Sequence, residues 1–351
     1  MVKININRLL ENSKRTSLIG KNIYTYEGYE KDGKWLPPLP GFRTHMRKNK
    51  MNFGICIGHQ IENVTEAVYP EFFEEGNKLR FSCVRHRWTP AWQETYYRSE
   101  PDSSYYPNSG CISFCETKCI TENDVFCSRI VLRSDKRKPA EILVKLISPL
   151  NGEISFDIKI GALGAPIHTK GYVSITNSLS DSNEFVVTVP PNGEIAFSYS
   201  FAFSKNNVEA AETAAKMVLK KSNPFSEKEK FFNDFMKEFA PELIAENPDI
   251  MKVYYYRWFL IYRAIHLPSE VIHNHPIQRF CMYESPYGGW YGCPVGLPVP
   301  LHIEETKWMI NPRFVYDNIE NWIENKTNYQ RYIQYTPWRY GVCIGTTRIK
   351  R

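Results

Sequence analysis

The run Arg279-Phe280-Cys281-Met282-Tyr283-Glu284-Ser285-Pro286-Tyr287-Gly288-Gly289-Trp290-Tyr291-Gly292-Cys293-Pro294 is too long and too aromatic for an ordinary connector. Its rings, Tyr283, Tyr287, Trp290 and Tyr291, suit the apolar C–H faces of a sugar, with Arg279 as a further contact and Glu284 as a carboxylate among them. The same composition also fits aromatics packing on their own helices while glycines make turns. A second carboxylate, Glu305, stands four residues after Leu301, three before Trp308 and four before Met309. On a helix beginning near Leu301 it points along the apolar stripe, whereas Glu304 lies at the edge, within reach of Lys307. A carboxyl group on an apolar face titrates high unless a cation meets it, which is what a general acid needs. The alternative is a core carboxylate satisfied by an arginine. The candidate catalytic residues are therefore Glu305 and Glu284, and the candidate sugar contacts are the four rings and Arg279.

Other chemistries lack their residues. His273-Asn274-His275, with His266 and Cys281 nearby, has no carboxylate at ligand spacing, so no metal is expected. Gly288-Gly289 is not followed by the Lys-Ser/Thr of a phosphate loop, and no G-x-S-x-G elbow occurs. No cofactor is implied.

The elements around these residues divide in two. From about residue 50 to 204 apolar residues alternate, as in Ile142, Val144 and Leu146, or Ile154, Phe156 and Ile158. Asn151-Gly152 and Asn192-Gly193 interrupt such runs and read as hairpin turns. The expectation is an antiparallel β-sandwich. Near residue 205 the period becomes helical. Asn206 and Asn207 precede an Ala-rich linker helix within 205–225, and Ser226-Glu227-Lys228-Glu229 reads as a capping box. Asn247-Pro248 opens a long aromatic helix over 250–266, and two helices follow over 301–310 and 313–324. The reading is a β + α two-domain chain: a basic extension 1–49, a sandwich 50–204, a linker helix 205–225 and a helical domain 226–351.

Composition limits the classes. Of 351 residues, 42% are hydrophobic and 23% charged, which suits a chain with a sizeable core. The net charge of +6 is carried by the first fifty residues; the remainder is near neutral, against a nucleic-acid partner. No apolar run is long enough to span a membrane and no signal peptide is read. Nine cysteines fit free thiols in a reducing compartment, so a cytoplasmic location is expected. Cys111, Cys115 and Cys119 share a strand face about 13 Å apart and read as small buried hydrophobes.

The order of elements, with Lys252-Val253-Tyr254-Tyr255-Tyr256-Arg257-Trp258, Tyr287-Gly288-Gly289-Trp290-Tyr291, Gly296-Leu297-Pro298-Val299-Pro300-Leu301, and Glu305 with Trp308, resembles the six-hairpin (α/α)6-toroid glycosidases. Glu116-Thr117-Lys118 and Asn123-Asp124-Val125-Phe126 add to it. Among these, the chain looks most like the glycoside hydrolase family 63-type and mannosylglycerate hydrolase-like proteins. The resemblance implies two-carboxylate hydrolysis of α-linked glucosyl or mannosyl sugars. It also implies a carbohydrate as partner; the alternative is a non-catalytic carbohydrate-binding protein. The family places an Asp after a Trp where the first long loop enters the toroid, whereas here Trp290 is followed by Tyr291. Twelve helices also need roughly 200 residues, so the expectation is the first hairpins of an incomplete toroid, the front portion of a longer enzyme.

Overall fold

A computed structural model describes residues 4–12, 30–31, 34–35, 42–43, 46–47, 50–51, 55–57, 65–99, 110–121, 125–148, 152–158, 167–204, 207–266, 281–282 and 299–324. The chain opens with a one-turn helix α1 (Ile6–Leu9). Short strands follow: β1 (Glu30–Lys31), β2 (Lys34–Trp35), β3 (Phe42–Arg43), β4 (Met46–Arg47), β5 (Lys50–Met51) and β6 (Ile55–Ile57). The main strands are β7 (Thr65–Glu74), with the short β8 (Asn77–Lys78) beside it, β9 (Phe81–Trp88), β10 (Gln93–Ser99), β11 (Ile112–Ile120) and β12 (Phe126–Ser134). Then come β13 (Ala140–Ile147), β14 (Gly152–Ile158), β15 (Ile167–Asn177), β16 (Glu184–Val189) and β17 (Glu194–Ser204). The helical part holds α2 (Val208–Leu219), α3 (Pro224–Phe239), α4 (Pro248–Ala264), α5 (Val299–Thr306) and α6 (Arg313–Glu324), with β18 (Ile265–His266) and β19 (Cys281–Met282) between α4 and α5.

A seven-stranded antiparallel sheet in the order β14-β15-β17-β12-β11-β10-β9 faces a six-stranded one, β16-β13-β7-β6-β3 with β8 on β7. Phe114, Phe126, Ile130, Phe197 and Phe201 from the first interdigitate with Val68, Phe72, Ile142, Val144 and Val187 from the second, which makes the sandwich core. The two Asn-Gly sites are not hairpins, contrary to the sequence reading. β13 pairs with β7 and β16, while β14 pairs with β15 in the other sheet. Likewise β16 pairs with β13, and β17 with β12 and β15. The turn at Asn192-Gly193 carries the chain across the sandwich, so that β16 and β17 put their apolar sides into one core. There Asn192 takes a positive φ of 45° and donates its N–H to Lys136 O, while Ser134 N donates to Gly193 O. A Cβ on Gly193 would meet the Pro190 Cβ at 2.9 Å, so glycine is needed where the corner closes.

The outer face of the seven-stranded sheet carries smaller side chains, and helices bury Cys119, Cys127, Ser200 and Ala202 on it. Asn207 caps α2 by accepting from Ala210 N, and Ala211, Ala215 and Val218 bury the helix against β15 and β17. The expected linker is thus a packed layer. The cap of α3 stands three residues before the expected capping box: Asn223 accepts from Ser226 N, with Pro224 in the first turn. Its Phe232, Phe235, Met236 and Phe239 face inward with Tyr255, Phe259 and Tyr262 of α4.

The segment 1–49 contributes α1 to this layer. Ile6 and Leu10 are buried, Asn7 N donates to Asn233 Oδ1, and Asn7 Oδ1 accepts from Ala91 N at 3.0 Å. Asn12 Oδ1 accepts from Trp88 N. Beside them the Trp92 ring meets the guanidinium groups of Arg8 and Arg87, 4.8 and 4.9 Å from its centroid, and its Nε1 donates to Glu229 Oε2. Burial alone would raise the Glu229 carboxyl, but hydrogen bonds from Asn5 and Trp92 and the charge of Arg8 outweigh it and hold it below its usual range.

Two consequences are measurable. Asn7→Ala leaves the buried Ala91 N–H without its acceptor and should lower stability by about 1–3 kcal/mol in urea unfolding. A loss no larger than that of the exposed control Lys220→Ala would show that α1 is not fastened there. Because the folded-state pKa of Glu229 is depressed, its contribution is present above the unfolded carboxylate value and fades as pH falls through the folded one. Glu229→Gln should flatten the acid limb of the stability profile.

Candidate functional site

The helical layer brings three titratable side chains together where α4 meets α5. Asn247 caps α4 by accepting from Asp249 N, with Pro248 in the first turn. Tyr255, Phe259 and Tyr262 then recur at i, i+4 and i+7 and turn inward. Arg257 falls on the opposite side, its side chain 56% exposed. On α5, Ile303 and Thr306 are buried, which leaves His302 and Glu305, three residues apart, flanking them. Arg257 Nη2 donates to Glu305 Oε1 across the two helices.

His302 completes the group. Its Nδ1 is buried and has no hydrogen-bond partner among the described residues. Burial lowers the imidazole pKa; Arg257 pushes the same way and Glu305 opposes. The ring is therefore neutral at neutral pH, with one nitrogen unengaged. A cation, a half-exposed carboxylate and a neutral imidazole in one place can bind hydroxyl groups and move a proton.

The frame beside this cluster is firm. β18 and β19 pair antiparallel, Ile265 opposite Met282. Met282 is buried and its N–H donates to Oδ1 of the buried Asn318 on α6. Glu284, Tyr283, Tyr287, Trp290, Tyr291 and Arg279 all lie outside the described residues. Of the sequence-derived site residues, Glu305 alone is described.

The apolar stripe expected around Glu305 is not present. α5 spans Val299–Thr306 instead of 301–310, so Trp308 lies beyond its end, and Leu301 and Trp308 are 66% and 63% exposed. Glu305 is met by Arg257, as the alternative reading held, but at a half-exposed position and not in the core. Glu304 pairs with Lys307 at 2.6 Å as expected. Arg257 and His302 were not singled out by the sequence reading, although His302 stands one helical turn before Glu305 and Arg257 lies within the aromatic run.

A second polar concentration lies inside the sandwich. Glu116 and Lys118, 0% and 1% exposed, alternate along β11, with Glu116 Oε2 at 3.2 Å from Lys118 Nζ. Glu116 Oε1 accepts from Ser128 Oγ and Tyr199 OH. His86, held neutral by burial and by the charge of Lys118 with a pKa of about 4, meets Thr95 Oγ1. Sealed from solvent, this network reads as core. Among the described residues no group of His, Cys, Asp and Glu could hold a metal ion. Of the three spaced cysteines, Cys119 is buried, while Cys111 and Cys115 are half-buried. No helix of the described residues is long and apolar enough to cross a membrane.

No family model matches the chain, and no curated protein matches it by sequence. Its fold is similar to the solved structure of a candidate kojibiose phosphorylase from human microbiome. That similarity has 13% identity and a TM-score of 0.53, and covers 80% of this chain and 45% of that one. The family GH92 α-mannosidase of Bacteroides thetaiotaomicron aligns over 74% of this chain and 41% of its own, with 7% identity and a TM-score of 0.35. Its complex with mannoimidazole aligns over 74% and 40%, with 8% identity and a TM-score of 0.36. The chain spans less than half the length of each of these proteins.

The cluster makes a direct prediction for His302. Followed by NMR, its ring should titrate with a midpoint below that of an ordinary histidine. Arg257→Met should raise the titration midpoint and Glu305→Gln should lower it. A midpoint near 6.5 that neither substitution shifts would show that the three groups do not interact.

Proposed function

We propose that this chain is the sandwich and first helical part of an enzyme that acts on α-linked glucosyl or mannosyl sugars, of the six-hairpin (α/α)6 type and related to glycoside hydrolase family 63. The observation that carries the reading is the order of layers. This chain is a two-sheet sandwich followed by helices, and its fold is similar to that of the candidate kojibiose phosphorylase over 80% of its length. In this reading α3 to α6 are the first members of the toroid. The outward-facing Ile250, Val253, Leu301, Trp308 and Ile310, each more than half exposed, support it as a face that further helices would cover.

Within that reading Glu305 is the general acid, held in orientation by Arg257, and Glu284 is the alternative. Trp290, Tyr291, Tyr283, Tyr287 and Arg279 supply the sugar contacts. Hydrolysis by inversion needs a second carboxyl group about 6.5–9.5 Å away to activate water. A phosphorylase, as the neighbour's description states for that protein, would instead use phosphate as the attacking group. Protonation of the glycosidic oxygen is common to both. One observation favours the non-catalytic, sugar-binding alternative: Glu305 is already engaged by Arg257, and that contact has to be exchanged before the carboxyl group reaches a substrate.

The test uses α-glucosides and α-mannosides with and without inorganic phosphate. Release of free sugar in water, or of a sugar phosphate when phosphate is present, is the expected result. Glu305→Gln should lower turnover by a factor of about 10² or more while sugar binding persists. Saturable binding without turnover would establish the binding alternative, and neither binding nor turnover would remove carbohydrate from consideration.

A further inference from the structure

A cavity of about 320 Å³ lies on the other side of the helical layer, where the turn from α2 to α3 crosses the outer face of the seven-stranded sheet. Its floor is Cys127 and Arg129 of β12 with Ser198 of β17, and its roof is Lys221, Asn223 and Phe225 of the turn. Arg129 stands directly opposite Ser198 in the β12–β17 register. The helices that bury Cys127 do not reach Arg129, which is exposed.

Charge distinguishes the place. Two cations line the cavity, and no carboxylate does. Lys221 is paired with Glu227. Arg129 has no hydrogen bond or ion pair to any described residue. The contrast is with Arg133, two turns of the pleat further along the same strand, which is held by Glu194 at 2.9 Å. The cavity wall beside Arg129 is rigid: Ser198 N donates to Ser178 Oγ at 2.9 Å, and Ser178 N donates to Ser198 O at 2.8 Å. Cys127 offers no competing anion, since burial pushes its thiol up to about 12.

We propose that this cavity is a binding site for a small phosphate-bearing molecule, with Arg129 as the principal contact. A planar guanidinium presents paired N–H donors that match an oxyanion bidentately. The hydroxyls of Ser178, Ser198 and Ser222 and the half-buried ring of Phe225 would receive the rest of the ligand. The volume is at the lower end for small-molecule sites, room for an anion or a single phosphorylated sugar rather than a polymer. The site shares no lining residue with Arg257, His302 or Glu305 and is independent of the function proposed for them.

The test is calorimetric titration of the full chain with inorganic phosphate, a hexose phosphate and the corresponding neutral hexose. Saturable one-to-one binding of phosphate or of the hexose phosphate is expected, weakened at least tenfold by Arg129→Ala and unchanged by Arg133→Ala. Arg129→Gln, whose shorter amide side chain stays polar without the charge, should behave like Arg129→Ala while melting as the unsubstituted chain does. A hexose phosphate binding more tightly than inorganic phosphate would place the sugar in the cavity; equal affinities would make the free anion the ligand. No saturable binding, equal loss in both arginine variants, or neutral hexose binding as well as its phosphate would overturn the proposal.

Discussion

Part of the seven-stranded sheet is buried on both sides, and much of the rest of the structure follows from covering both. Along β12, Phe126, Ile130 and Leu132 turn toward the six-stranded sheet, whereas Cys127 turns the other way, under helices. β11 does the same with Phe114 and Ile120 on one side and Cys119 on the other. Left bare, this part of the outer face would expose Cys119, Cys127 and Ala202 and leave the apolar sides of the helices above them uncovered. The chain closes it with α2 lying along β15 and β17, with α3 against β11, and with α1 at one end. Trp92 is the peg at that end: it is 6% exposed, its indole N–H donates to Glu229, and the guanidinium groups of Arg8 and Arg87 lie over its ring. The helical layer is therefore seated on the sandwich through side chains more than a hundred residues apart in sequence, and α4, which packs on α3, inherits that placement.

The inner face carries an opposite demand. Glu116 and Lys118 bring two charges into a core made of Phe114, Phe126 and Ile130. A buried ion pair rarely adds net stability, because desolvation cancels most of the attraction, yet removing one partner leaves a charge stranded. Here the second oxygen of Glu116 is satisfied by Ser128 and Tyr199 on the next two strands. The pair thus ties β11, β12 and β17 in one register: a slip by one residue would turn both charges outward and bring Thr117 inward.

What the sequence made legible was whatever one element decides for itself. The Asn247-Pro248 start of α4 and the span of α6 were readable because capping and helical period are local. The two Asn-Gly corners were misassigned because alternation identifies a strand but not its sheet; only the shared core of β16 and β17 settles that. The capping box was misplaced since Asn223-Pro224 offers an earlier, equally good cap. A four-residue helix such as α1 has too little period to detect, and its tie to residue 233 is invisible in sequence. At the site, Glu305 was found but its surroundings were not. The reading extended α5 through Trp308, whereas the helix ends at Thr306 and the tryptophan ring instead lies against Lys307.

The two charged places outside the core differ in how their arginines are used. Arg257 crosses from α4 to α5 and spends its charge on Glu305, so a neutral His302 beside it is the group left with an unengaged nitrogen. Arg129 is set by strand register beside the turn from α2 to α3, where it is left exposed. The first arrangement fixes the orientation of a carboxylate and suits chemistry on an uncharged substrate, where a stray cation would have no role. The second leaves a full positive charge facing a cavity whose walls are held by backbone hydrogen bonds. The two places thus differ in compensation: Arg257 is paired across two helices, and Arg129 has no ion pair among the described residues.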